Sequence, residues 1–157
     1  MKFECEAGDV DYIDEAPLQF INTVELNAPP AAVFESLADT EAWLRWFPDM
    51  KSAAWQGEAG AGTDRLVTVG SMQICEHFTV WREPYQMAFY VRETTLPFAK
   101  KMVENYIIEE TASGSRFTYA VGMQLRFPLS LVKFAARPKF EKMFRDATTS
   151  FGAYINT

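Results

Sequence analysis

Histidine is nearly absent from this chain of 157 residues: His77 is the only one, so no pair of histidines can hold a metal ion. Cysteine is almost as scarce. Cys5 and Cys75 are too few and too scattered for a disulfide framework or a zinc site, and both are expected to be free thiols in a reducing compartment. No apolar run approaches the roughly 18 to 20 residues that span a bilayer, and the acidic start, MKFECEAGDVDYIDEAP, has no apolar signal region. The expectation is a soluble, cytoplasmic protein with no integral membrane segment. Basic charge is short as well. A net charge of −6 argues against nucleic acid as a partner, because phosphate binding needs a dominant basic surface. There is no Gly-rich phosphate loop, G-x-S-x-G elbow or dinucleotide fingerprint; Gly57, Gly60 and Gly62 lie between predicted strands and open no helix. Neither NAD nor ATP chemistry is expected, nor any other cofactor.

What the chain does have is apolar mass. Hydrophobic residues make up 48% and aromatics 15%, with thirteen Phe, which is ample for one domain over 1–157. Such an aromatic content predicts either a dense core or a lined cavity. Charge is uneven: residues 1–64 hold thirteen acids against three bases, and residues 65–157 hold eight against twelve. The first sixteen residues read as an acidic N-terminal extension. The bases Lys133, Arg137, Lys139, Lys142 and Arg145 read as the solvated face of a helix, with an anion or membrane contact as the alternative.

Gln19 to Leu26 alternates as a strand, Pro29-Pro30 ends it, and Ala31 to Ala38 carries Val33, Phe34 and Leu37 at helical spacing. Asp39 caps a second short helix. Period two then takes over, with strands predicted at Lys51–Gly57, Asp64–Val69, Gln73–Arg82, Gln86–Thr94, Met102–Thr111 and Arg116–Phe127, and a loop over Leu96–Lys101. Phe140, Met143, Phe144, Ala147, Phe151 and Tyr154 form one apolar stripe of a terminal helix. Pro138 makes Ser130–Arg137 either a separate short helix or a bent extension of it. Strands in a run with helices grouped at both ends predict an α+β fold, a curved seven-stranded antiparallel sheet with the long helix across its concave face.

The order of elements, the strand followed by Ala28-Pro29-Pro30 and Val33-Phe34, Asp39 with Trp43 and Trp46, Gly62 before a strand, and the hairpin of Glu76, Trp81 and Glu83-Pro84 together resemble the START/Bet v 1-like (SRPBCC) superfamily. Within it the chain is most similar to the bacterial polyketide cyclase/dehydrase and lipid-transport-like group. The resemblance runs from about Ala16 to Tyr154. It implies a helix-grip architecture with an internal cavity for a hydrophobic small molecule: a lipid, sterol, polyketide, aromatic or quinone. It implies no catalytic residue, because carriers, sensors and cyclases share the scaffold.

On the last strand Phe117, Tyr119, Val121, Met123 and Leu125 alternate with smaller or polar residues and are expected to face inward. Tyr119, and Tyr106 from the neighbouring strand, would then bring hydroxyls to the interior, where each seeks a partner. Glu76 shares a face with Ile74, Phe78 and Val80; the opposite face, Cys75, His77, Thr79 and Trp81, is nearly as apolar, and either is a candidate for the inside. Turned inward, Glu76 is a candidate acid or base, or the partner of Arg65, Arg82 or Arg92. The expected ligand-binding set is Glu76, Phe78, Tyr106, Phe117, Tyr119, Val121, Phe140, Met143 and Phe144, with no metal. Trp43, Trp46 and Phe47 are expected to pack helices on the sheet. Leu96, Phe98 and Met102 on one side and Phe127-Pro128-Leu129 on the other are candidate rims of an entrance. Three functions fit: a binder or carrier of a hydrophobic small molecule, a cyclase or dehydratase using Glu76 or a Tyr, and a protein or membrane interaction module. A homodimer is compatible with each.

Overall fold

The computed structural model describes residues 1–157. Its framework is one antiparallel sheet of eight strands: β1 (Phe3–Glu4), β2 (Leu18–Leu26), β3 (Met50–Trp55), β4 (Asp64–Val69), β5 (Met72–Arg82), β6 (Gln86–Thr94), β7 (Ala99–Thr111) and β8 (Gly114–Leu125). The order is β2-β8-β7-β6-β5-β4-β3, and β1 pairs with β6. Thus the last six strands form the expected meander, and the first long strand closes against the last.

Pro30 occupies the first turn of α1 (Pro30–Ala38), where a missing N–H costs no helical hydrogen bond. Asp39 ends that helix and starts α2 (Thr40–Trp46): its N–H donates to the Glu35 carbonyl, and its carboxylate accepts from the Glu41 N–H at 3.0 Å. Gly114 turns the β7–β8 hairpin at φ 149°, and a Cβ there would lie 2.3 Å from the Leu26 carbonyl oxygen. Only glycine fits that approach of the hairpin to the end of β2.

The terminal helix α3 (Lys133–Ile155) crosses the concave face, and a 3-10 turn, Leu129–Val132, precedes it. Pro138 lies inside α3, so residues 133–137 are an extension of the terminal helix and only Leu129–Val132 is a separate short turn. The helical bond to the Phe134 carbonyl is lost there, in a stretch where no side chain is buried. From Phe144 onward the stripe enters the core: the Phe144 ring is 5.4 Å from Phe20, and Phe151 lies 4.6 Å from Trp46 and 5.0 Å from Phe117.

Three local expectations are corrected. The strand after Pro97 begins at Ala99, not Met102, because Ala99 pairs with Leu125 and Glu6 bridges to Lys101. The acidic N-terminal stretch is part of the sheet: Phe3 registers with Thr94, and Ile13, in a 3-10 turn, packs on Val103 and Ala120 of the outer face. On β5, Ile74, Glu76 and Phe78 face the core as one of the two alternations requires, but the register shifts between Phe78 and Val80. A shift of one residue exchanges the faces. Trp81 therefore points inward in place of Val80, with its ring 5.1 Å from Phe34 and 5.8 Å from Phe78.

Candidate functional site: a buried carboxylate pair beside an apolar cavity

Arg65 on β4 and Glu76 on β5 stand directly opposite each other in register. Both side chains are buried, and the Arg65 Nε donates to Glu76 Oε1 at 2.7 Å. The guanidinium carbon sits 4.3 Å from the Trp43 ring centroid, 5.0 Å from Phe78, 5.4 Å from Trp55 and 5.9 Å from Phe89, an aromatic cage for a cation. Nη1 reaches the Leu37 carbonyl at 3.4 Å, and Nη2 has no partner. Burial lowers the Arg65 affinity for its proton, but the Glu76 charge and hydrogen bond, together with Tyr106 and the Glu104 charge, outweigh it and keep the guanidinium charged. Burial raises the Glu76 carboxyl above the usual carboxylate range, more than the charge and hydrogen bond of Arg65 pull it down. Glu76 is thus the counter-ion of a buried arginine, the pairing that the sequence offered as its structural role.

A second buried carboxylate, Glu104 on β7, is absent from the sequence-based set. Period two places it on the face of Met102, Tyr106 and Ile108. Tyr106 and Tyr119 are cross-strand partners with ring centroids 4.9 Å apart, and both hydroxyls donate to Glu104 Oε1, at 2.9 and 2.7 Å. Burial, followed by repulsion from Glu76, raises the Glu104 pKa to about 7 against the pull of the two hydroxyls and Arg65. Burial also holds both tyrosines well above their usual range, so they remain donors. The cluster has two carboxylates and one cation, and the unmatched acid titrates near neutrality. Glu104, the carboxylate without a cationic partner, is the one placed for proton transfer at neutral pH.

Beside this cluster lies a cavity of about 60 Å³, partly open to solvent and lined from α2, α3 and strands β3, β4, β5, β7 and β8. That is room for a few water molecules. Thirteen of its fifteen lining residues are hydrophobic, and the two that are not are Glu76 and Glu104. Four of the seven methionines line it: Met50, Met72, Met102 and Met143. Methionine is the most adaptable apolar side chain, so this wall can repack around a guest.

Of the residues expected at a binding site, Glu76, Tyr106, Tyr119, Met143 and Phe144 line the cavity. Phe78, Phe117 and Val121 do not: they are sealed in the packed core. Phe140 packs instead against Phe20 at 6.4 Å and stacks on Phe98 at 6.1 Å. Trp43 and Phe47, read as packing residues, also form cavity wall. Glu104 was findable as the inward neighbour of Tyr106 two positions back. Cys75 and His77 share the outer face of β5, where burial pushes the Cys75 thiol up to about 11, the reverse of what a nucleophile needs. His77 Nδ1 pairs with Asp64 at 2.7 Å, and no three His, Cys, Asp or Glu side chains converge as metal ligands.

The lining residue Phe98, whose carbonyl accepts from the Arg126 N–H at 2.9 Å, adjoins a strongly apolar surface. Phe127 is 77% exposed, Leu131 70% and Phe134 83%, with Leu129 and Val132 also exposed between them. No acidic residue occurs from Thr111 to Phe140, while Arg116, Arg126, Lys133, Arg137 and Lys139 do.

A curved antiparallel sheet gripping a long helix over an apolar cavity defines the START/Bet v 1-like class of proteins. The match to the family described as polyketide cyclase / dehydrase and lipid transport extends over residues 18–156, and the chain belongs to that family. It is 32% identical over 139 residues to uncharacterized proteins of Mycobacterium tuberculosis and Mycobacterium bovis, covering 87% of this chain and 83% of theirs. Among solved structures, a START superfamily protein from Mycobacterium smegmatis superposes with a TM-score of 0.65 at 16% identity, over 83% of this chain and 94% of that one. A protein of the dynemicin biosynthetic locus gives 0.69 at 14% identity, over 88% of this chain and 47% of that one. At these identities the two structures speak for the fold alone. No helix is long and apolar enough to cross a membrane.

Proposed function

We propose that the protein binds a compact, mainly apolar small molecule with one polar end in the cavity between the sheet and α3. A single observation carries this reading: in a wall otherwise made of hydrophobic residues, the two exceptions are the buried carboxylates Glu76 and Glu104. A pocket of apolar walls with few convergent polar groups binds by burial, at roughly 25 cal/mol per Å², and orients by the polar groups. The test is the melting temperature of the protein with indole, 1-naphthol and benzyl alcohol, repeated with Met143→Trp to fill the cavity. Stabilisation that disappears in the filled variant, with circular dichroism unchanged, supports the reading. No stabilisation by any compound, or an equal gain in the filled variant, overturns it.

A second reading rests on a different observation, the exposed apolar residues of 127–134 among bases on an otherwise acidic chain. Apolar side chains flanked by Lys and Arg suit an anionic lipid surface, into which the rings insert while the bases meet headgroups. Flotation with phosphatidylcholine vesicles, with and without phosphatidylglycerol, tests it. Binding only to the anionic vesicles, lost in Phe127→Asp/Phe134→Asp, is expected. Failure to float, or self-association through this surface without lipid, overturns it.

A further inference from the structure

The charge balance at the cavity is incomplete, and this extends the reading that the cavity holds a ligand, on which it rests. We propose that the ligand is a compact organic cation, a primary amine or methylated ammonium on a small apolar body, with its charge against the free oxygen of Glu104. Arg65 Nε is already bonded to Glu76 at 2.7 Å, and Arg65, with its unpartnered Nη2, lies outside the cavity lining. Glu104 Oε1 accepts both tyrosine hydroxyls, whereas Oε2 accepts nothing. No Lys, Arg or His lines the cavity to neutralise it. A second anion would sit against two carboxylates, so acids are disfavoured.

The molecule itself shows how it keeps a cation out of water. The Arg65 guanidinium is held by one carboxylate and four aromatic rings. The cavity repeats those components: Glu104 as the carboxylate, and the rings of Trp43, Phe47, Phe98 and Phe144 in the wall. Rings attract ammonium groups through their quadrupoles, most strongly where water is excluded. The size of the cavity and its four methionines favour a small guest that the wall closes upon.

Binding is linked to protons. Glu104 faces Tyr106 on its own strand, Tyr119 from β8, Glu76 from β5 and Arg65 from β4, while α2 and α3 present only Trp43, Phe47, Met143 and Phe144 to the cavity. When a protonated amine enters a cavity whose Glu104 is neutral, the carboxyl proton passes to the buffer and the ammonium keeps its own. Affinity for the amine therefore increases with pH until Glu104 is ionised in the free protein.

Calorimetric titration of the full chain with benzylamine, benzyl alcohol and benzoate separates the possibilities. At about pH 8 the amine is expected to bind about tenfold more tightly than the alcohol, and benzoate more weakly than either. Below the Glu104 titration the amine loses up to about tenfold per pH unit, and buffers of different ionisation heat register a released proton. Glu104→Gln is expected to lose both the preference for amine over alcohol and the proton release. Equal binding of amine and alcohol, a preference for benzoate, or an amine preference that persists in Glu104→Gln overturns the cation assignment while leaving the cavity reading intact. If no probe binds, the cavity reading itself fails, and the inference with it.

Discussion

The two halves of α3 share one apolar spacing and do opposite things. From Phe144 to Gly152 the helix is fixed: Phe144, Ala147, Thr148, Phe151 and Gly152 are buried, Ser150 Oγ donates to the Trp46 carbonyl, and Asn156 Oδ1 accepts from the Asn27 N–H at 2.8 Å. From Lys133 to Met143 nothing is buried, a proline interrupts the hydrogen bonds, and Phe134 stands in solvent. The cavity lies where the two meet, at Met143 and Phe144. The N-terminal half is thus the part of α3 expected to open first, since local opening follows local contact density.

The sharpest way to break this contrast is Phe151→Ala, which empties the anchored half. It should cost about 3–5 kcal/mol in urea denaturation, and a loss under about 1 kcal/mol would show that the C-terminal half is no anchor. Next in size is the titration of Glu104 at the junction. Its pKa is raised from 4.5 to about 7, so the folded state holds the proton more tightly than the unfolded state. That stabilisation is complete below about 4.5 and is lost as pH rises through about 7, on the order of 3 kcal/mol in all. Asp64, lowered from 3.8, acts in the opposite sense and only at more acidic pH. Glu104→Gln should flatten the decline between these limits, and a stability profile identical to that of the wild type would remove Glu104 as its source.

Gly152→Ala should be milder. Its Cβ would sit 2.7 Å from Val24 Cγ2 where α3 crosses β2. The overpacking cost of about 1–3 kcal/mol is partly offset by about 1 kcal/mol of helix propensity, leaving a net loss of about 1 kcal/mol in the same denaturation. Phe134→Ala should change stability by less than about 0.5 kcal/mol, because the ring it removes touches little. A larger effect would mean that the N-terminal half is held more firmly than its exposure indicates.

Much of this was readable from pattern. The alternation of Phe117, Tyr119, Val121, Met123 and Leu125 fixed the inner face of β8, and all five are buried. The apolar stripe located α3, and the Pro-Pro and Asp39 signals located the short helices. Alternation could not reveal the register shift in β5, because a bulge leaves no compositional mark when Thr79, Val80 and Trp81 suit either face. The split of α3 was equally hidden, since Phe140 and Phe151 obey the same spacing and only the sheet beneath them decides which is covered. Glu104 was missed for another reason: a carboxylate on a strand reads as an outward residue, although the inward placement expected of Tyr106 puts Glu104, two positions back, on the same face. The sealing of Phe78, Phe117 and Val121 away from the cavity depends on how much volume the aromatic rings fill, which no one-dimensional pattern records.

The four methionines in the cavity wall have a practical consequence. Selective isotope labelling of methionine methyl groups would place four reporters, Met50, Met72, Met102 and Met143, around any guest, while Met87 and Met123, both fully buried, and Met1, almost fully exposed, lie outside the lining. A seven-peak spectrum would then contain its own internal reference. Displacement of the four against the stillness of the three would map occupancy directly, before the identity of the guest is known.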